Sequence, residues 1–213
     1  GGPSDSDGDG RPDDFEEWQG LNINENDIEW TFLVYCCGDD VPAGSGVGTI
    51  LPEIWEFVER LSWVGSTDNI TIVVQFDGSD QLNGNHQDLF WNDIPNNENK
   101  EPIEGSTTRR FLVGKDTKGW NPSIILQREC TNNTLIDLYD VTDWDPMRTG
   151  HAGPSTTWEA NMADPETFHD FISWGMDTFP ADNYCLYVDS HGDGIHGFGY
   201  DHRTGPEPTS TEK

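Results

Sequence analysis

Three short runs of uninterrupted apolar residues stand out in a polar chain: residues 30–36 (WTFLVYC), 70–76 (ITIVVQF) and 184–189 (YCLYVD). Each has the length of a strand and is rich in β-branched and aromatic residues. None alternates as a half-solvated strand would, so all three are expected as buried strands of a parallel sheet. After the first run, Ile50, Ile54, Phe57, Val58 and Leu61 share one helical face. Pro52 is tolerated in a first turn, so the spacing predicts a helix over residues 49–63. Ahead of the third run, Asp164 is a suitable N-cap and Pro165 takes the first helical position. Phe168, Phe171, Ile172 and Met176 then mark the buried face of a second helix.

Residues 109–115 and 123–128 read as a hairpin or edge pair. Residues 77–107 and 129–163 are rich in polar residues and show little periodicity. The order strand, helix, strand, then helix, strand predicts an α/β fold: a mainly parallel sheet between two helical layers. In such sheets functional groups gather beyond the carboxyl ends of the strands. Residues 37–40, Asp77-Gly78 and Ser190-His191-Gly192 are expected there. Residues 1–29 read as a Gly-, Asp- and Asn-rich appendage, 30–204 as the main domain, and 205–213 as an exposed flexible tail.

The 213 residues suffice for one α/β domain with a core. No apolar run is long enough to span a membrane. The formal charge of -29, from 40 acidic and 11 basic residues, argues against nucleic acid and anionic membranes as partners. It suits metal cations, cationic substrates or a salty medium. The start at Gly1, without Met or signal peptide, is read as that of a processed product. Asn69-Ile-Thr71 and Asn132-Asn133-Thr134 are glycosylation sequons, in keeping with export to the outside or to the cell surface. Cys36, Cys37, Cys130 and Cys185 match no zinc spacing, and their three possible full pairings stay open. Cys36 and Cys185 fall in expected core strands, where a free cysteine serves as a small apolar residue.

Residues 5–16 (DSDGDGRPDDFE) match the twelve-residue calcium loop at each key position. Asp5, Asp7 and Asp9 take positions 1, 3 and 5, and Gly10 makes the turn at position 6. Arg11 offers its backbone carbonyl, Asp13 a water-mediated contact, and Glu16 a bidentate closure. No helix is expected before the loop, so a structural Ca2+ is favoured over a sensor.

His191 follows an apolar strand and precedes glycines, the setting of a general base or acid. The backbone N–H of Gly192 can face an oxyanion without a side chain in the way. His196 and His202 lie close by in sequence, and His86, His151 and His169 have weaker contexts.

Several ordered segments resemble the clostripain family of cysteine peptidases. They are residues 30–35 with Gly38-Asp39-Asp40, residues 72–77, residues 108–113, residues 159–168, and residues 179–184 leading to His191-Gly192. Together they span roughly residues 30–201. The resemblance implies a caspase-like αβα sandwich, incomplete in this chain and completed by a second chain. It implies that His191 is the catalytic histidine, and that the nucleophilic cysteine follows a further parallel strand in an Asp-x-Cys context. The acids that hold an Arg or Lys side chain are expected mainly on that same segment. Of the cysteines present, Cys37 alone stands at a strand end on the functional edge. Similar peptidases cut themselves between the two segments after a basic residue, so Lys213 on its flexible tail reads as the end of a self-processed light chain. The expectation is a secreted, calcium-binding endopeptidase cutting polypeptides after Arg or Lys. The alternative is a non-catalytic, calcium-stabilised surface or binding domain on the same fold.

Overall fold

The computed structural model describes residues 4–38, 51–77, 108–115, 138–141 and 160–191. In chain order these give α1 (Asp13–Gln19), β1 (Trp30–Cys37), α2 (Leu51–Val64), β2 (Ile70–Asp77), β3 (Thr108–Val113), β4 (Leu138–Asp140), α3 (Pro165–Thr178) and β5 (Asn183–Asp189). The strands form one five-stranded sheet in the order β4-β3-β2-β1-β5. β1 pairs in parallel with β2 (Trp30 opposite Ile70) and with β5 (Trp30 opposite Asn183). β3 and β4 join antiparallel on the far side of β2.

Alternation along the strands builds two cores. Val34, Cys36, Ile72, Val74, Phe76, Phe111 and Val113 face Ile54 and Val58 of α2. Leu33, Tyr35, Cys37, Val73, Leu112 and Tyr139 face Phe171 and Trp174 of α3. The central strands are apolar throughout because both faces are covered. The architecture is therefore mixed α/β, with a partly parallel sheet between helical layers, as the rhythm of the sequence led one to expect. The cap of α3 also follows the sequence: the Asp164 side chain accepts from Glu166 N at 2.9 Å, with Pro165 first in the helix.

Several expectations need correction. Residues 109–113 do not belong to an edge. All six residues of β3 are buried, because β3 lies between β2 and β4. Arg110 is held inside: Nε donates to Gln75 Oε1 at 2.8 Å, Nη2 donates to Asp170 Oδ2 at 3.0 Å, and the guanidinium lies 4.3 Å from the Trp174 ring centroid. Its antiparallel neighbour β4 comes from a stretch read as irregular, since three residues carry no detectable period. The expected partner at 123–128 lies outside the described residues, as do the excursion 78–107 and the tail 205–213. Met176 is exposed, and Trp174 and Gly175 take the buried positions instead.

The third apolar run is a strand, but not a buried one. Among the described strands β5 lies at the end of the sheet, and Leu186 and Tyr187 keep 43% and 44% of their surface exposed. Cys185 is accordingly only partly buried.

Residues 4–29 pack on the sheet domain. Phe15 is fully buried beside Tyr139, with ring centroids 5.6 Å apart. Gln19 Oε1 accepts from Lys115 N, and Asp68 Oδ1 accepts from Asn22 N. Lys115 follows β3 and Asp68 precedes β2, so these contacts lie at the amino end of the parallel strands.

Candidate functional site

From β1 the chain runs outward through β2, β3 and β4, then returns to place β5 on the other side of β1. In an open α/β sheet, ligands usually bind beyond the carboxyl ends of the strands at such a reversal of strand order, here β1 and β5. β1 delivers Cys37 and Gly38 there, and β5 delivers Ser190 and His191.

His191 is exposed, the state a group needs to meet a substrate, and its carbonyl accepts from Ser190 Oγ at 3.1 Å. Neighbouring strand ends are tied down. Gly38 N donates to Asp77 O at 3.0 Å, and Thr108 Oγ1 donates to buried Asp77 Oδ1 at 2.9 Å. Ala160 N donates in turn to Thr108 Oγ1 at 2.8 Å, so three chain segments brace this edge. Gly192, expected to offer its N–H, lies outside the described residues, as do His86, His151, His196 and His202. His169 is exposed on α3, with Nδ1 3.5 Å from Ser173 Oγ.

The two cysteines of β1 are poorly placed as nucleophiles. Cys36 and Cys37 are fully buried, on opposite faces of β1. Burial pushes the Cys36 thiol well above its ordinary range, and the nearby Asp189 carboxylate adds to this. A thiol held neutral in a core is inert. Asp189 lies opposite Cys36 in the strand register, and its own carboxyl is raised by burial. Cys130 lies outside the described residues.

The second cluster is the loop before α1. One ligand oxygen from each of Asp5, Asp7 and Asp9 lies within 4.8 Å of the others. The turns that bring them together are visible as hydrogen bonds. Asp5 accepts from Gly8 N at 2.8 Å and from Gly10 N at 3.1 Å, Asp7 accepts from Asp9 N at 3.2 Å, and Asp9 accepts from Arg11 N at 2.7 Å. Gly10 has φ +89°, a conformation in which a side chain is strained. Its Cα also abuts the Thr178 carbonyl, so the loop rests on the end of α3.

Glu16 is fully buried, and neither of its carboxylate oxygens accepts a hydrogen bond; the buried Asp7 Oδ2 is in the same state. Burial, and then repulsion from Asp9, push the Glu16 carboxyl up to about 7, against the opposing pull of Arg11. Burial likewise raises Asp9. Buried oxygens without donors are costly unless something else satisfies them. A hard cation with six to eight oxygen ligands fits this set: Asp5, Asp7, Asp9 and Glu16 would hold Ca2+.

Two residues of the loop make further contacts. Asp13 turns to the loop entrance, where it accepts from Ser4 Oγ at 2.6 Å, Ser6 N at 2.7 Å and Ser6 Oγ at 2.9 Å. The Ser4 bond, then those from Ser6, lower its carboxyl below the ordinary range. Arg11, valued in the sequence for its carbonyl, has a fully buried side chain. Its Nε donates to Asp9 Oδ2 at 2.6 Å, its Nη1 donates to Thr67 O at 2.6 Å, and its Nη2 lies 3.2 Å from Glu16 Oε1. An Arg beside three alternate aspartates hinted at the first contact. The Thr67 contact spans 56 residues and had no local signal.

No protein-family model and no curated protein matches the chain. Among solved structures it is similar to a B. fragilis cysteine protease, with 19% identity and a TM-score of 0.40, over 78% of this chain and 91% of that chain.

Proposed function

We propose that this chain is the histidine-bearing portion of a secreted, calcium-binding cysteine endopeptidase of clostripain type, with its nucleophile on a second polypeptide of the same precursor. One observation carries the reading. β5 ends in an exposed His191 at the switch point of the sheet, yet β5 itself is a sheet edge with large apolar residues open on both faces. Leu186 follows the register of Leu33, on the α3 side, and Tyr187 that of Val34, on the α2 side. A long apolar edge strand invites pairing with another strand. A further parallel strand beside β5 would cover this surface and bring a thiol to the same end as His191.

In the complete site His191 takes the thiol proton of the companion cysteine, and the thiolate attacks the scissile carbonyl. The histidine then gives that proton to the leaving amine as the peptide bond breaks. Water, deprotonated by the same imidazole, releases the acyl group. The Gly192 N–H would steady the oxyanion. Cleavage after Arg or Lys rests on the resemblance in sequence, and the charge of -29 favours the approach of cationic polypeptides.

The burial of Cys36 and Cys37 favours a second reading, a non-catalytic calcium-stabilised domain. Mass spectrometry of native material separates the two. A companion polypeptide with an alkylatable cysteine, and cleavage at Arg or Lys that disappears in His191→Ala, support the peptidase. Native material with no companion chain, or cleavage that survives His191→Ala, overturns it.

A further inference from the structure

We infer that Arg11 is a positioning residue that links the calcium loop to the turn before β2, so that a cation in the loop orders the amino end of the central strands. The inference rests on the calcium reading of that loop.

The Arg11 guanidinium is fully buried and touches two separate parts of the molecule. On one side Nε donates to Asp9 Oδ2, and Nη2 lies beside Glu16 Oε1. On the other side Nη1 donates to the carbonyl of Thr67. Thr67 belongs to the connection between α2 and β2, where its N–H and carbonyl pair with Ile70 at 2.8 and 3.2 Å. Ser66 next to it binds Val113 O and receives Ile72 N. A shift of the guanidinium therefore acts on the turn from which β2 starts.

Arg11 does not neutralise the loop. One guanidinium meets the carboxylates of Asp9 and Glu16, Asp5 and Asp7 cluster with Asp9, and the Glu16 oxygens accept no hydrogen bond. Without a cation these carboxylates repel one another, and among the described residues no hydrogen-bond donor holds the Glu16 oxygens. A divalent cation would hold Asp9 and Glu16 at set positions. The planar guanidinium, always charged and with its donors in a fixed fork, would then be fixed in turn and hold Thr67 in place. Arg11 can do this without being a ligand through its side chain, since the loop uses only its backbone carbonyl.

The location gives the consequence. Thr67 and Thr178 lie before β2 and β5, at the end of the sheet away from His191. Ordering should therefore appear at residues 67–70.

The test is hydrogen exchange on the full chain, stripped with chelator and then titrated with calcium chloride, with calorimetry in parallel. The expected result has two parts. Calcium slows exchange at residues 67–70 at least fivefold in the wild-type chain. In Arg11→Met, calcium still binds with a similar Kd, but the slowing at 67–70 is lost. Three results overturn the inference. In the first, wild-type protein binds calcium with no change at 67–70, which needs no variant to fold. In the second, Arg11→Met keeps the full slowing. In the third, Arg11→Met loses calcium binding, which would make the side chain part of the binding set. If wild-type protein binds no calcium at all, the calcium reading falls together with this inference. Cleavage by the assembled peptidase is measured separately and is unaffected by that outcome.

Discussion

Tyr187 of β5 stacks on Phe57 of α2, with ring centroids 4.6 Å apart and planes 26° from parallel. The stack covers one side of Tyr187 and leaves 44% of the residue open. Leu186, on the opposite face, is 43% exposed. Leu186→Thr keeps a good strand former and removes apolar surface that is about half exposed. It should cost this chain alone no more than about 1 kcal/mol. If a companion chain buries that surface, the same change should weaken association by about 1 kcal/mol, roughly fivefold in Kd. Urea unfolding of the chain alone and titration with the companion check the two halves. A large loss of stability in the isolated chain would show that β5 is already covered.

Gly10 and Gly8 make a matched pair. Both have positive φ, +89° and +78°. A Cβ at Gly8 meets open space, whereas one at Gly10 runs into the Thr178 carbonyl. Gly8→Ala should therefore cost only the backbone strain, about 1 kcal/mol. Gly10→Ala should cost clearly more, because the loop must leave α3 or the end of α3 must shift. Thermal unfolding of the two variants gives the comparison, and equal losses would contradict the contact.

Removing calcium should lower the thermal midpoint. At a free concentration 100 times Kd the ion contributes about 2.7 kcal/mol, which is several degrees for a chain of this size. Replacing Asp5 and Asp9 together by Ala should abolish that shift. In chelator the double variant should also fall below the wild type, because buried Arg11 loses its Asp9 partner, so the readout is the calcium-dependent shift and not the absolute midpoint. A calcium-dependent shift that survives the double change would sink the site.

Arg110 is a charge inside the core, held by Gln75, Asp170 and the face of Trp174. Arg110→Met should cost about 3 kcal/mol, because the buried Gln75 and part-buried Asp170 lose their common partner. Arg110→Lys should lie between the two, since an ammonium cannot reproduce the fork or lie flat on the indole. Urea unfolding of both variants orders them, and a stable Arg110→Met would mean that the network is replaceable by apolar packing.

What the sequence made legible follows from range. The apolar runs of β1 and β2, the Asp164-Pro165 start of α3 and the alternating aspartates of the loop are local patterns, and each has the structure its period implies. The reading of 109–115 as part of a hairpin or edge pair misses that β3 is interior, since the partners that bury Arg110, Gln75 and Asp170, are 35 and 60 residues away. β4 is too short to show a period. The apolar run of β5 carries the same composition as a buried strand, and only the strand order shows that it is an edge. The loop was legible as a cluster of carboxylates, but its attachment through Arg11 to Thr67 and through Gly10 to Thr178 was not. Both contacts run to backbone carbonyls, which have no sequence signature.

Glu16 gives the calcium-free protein a pH dependence of known sign. Its carboxyl titrates near 4.5 when exposed and at about 7 in the folded loop, raised first by burial and then by Asp9. Between those values the folded chain holds more protons than the unfolded one, so stability falls as pH rises. The contribution is full below about pH 4.5 and gone above about pH 7. Asp9, also raised by burial, acts in the same direction, while Asp13 is lowered and acts only at more acidic pH. The acidic surface adds a general decline with pH, so the readout is the difference between wild type and Glu16→Gln. In calcium-stripped protein the thermal midpoint of the wild type should drop more steeply from pH 5 to 7.5 than that of the variant. Calcium should flatten the wild-type curve by holding Glu16 ionised. Parallel curves for wild type and Glu16→Gln would place the Glu16 carboxylate in water rather than in the loop.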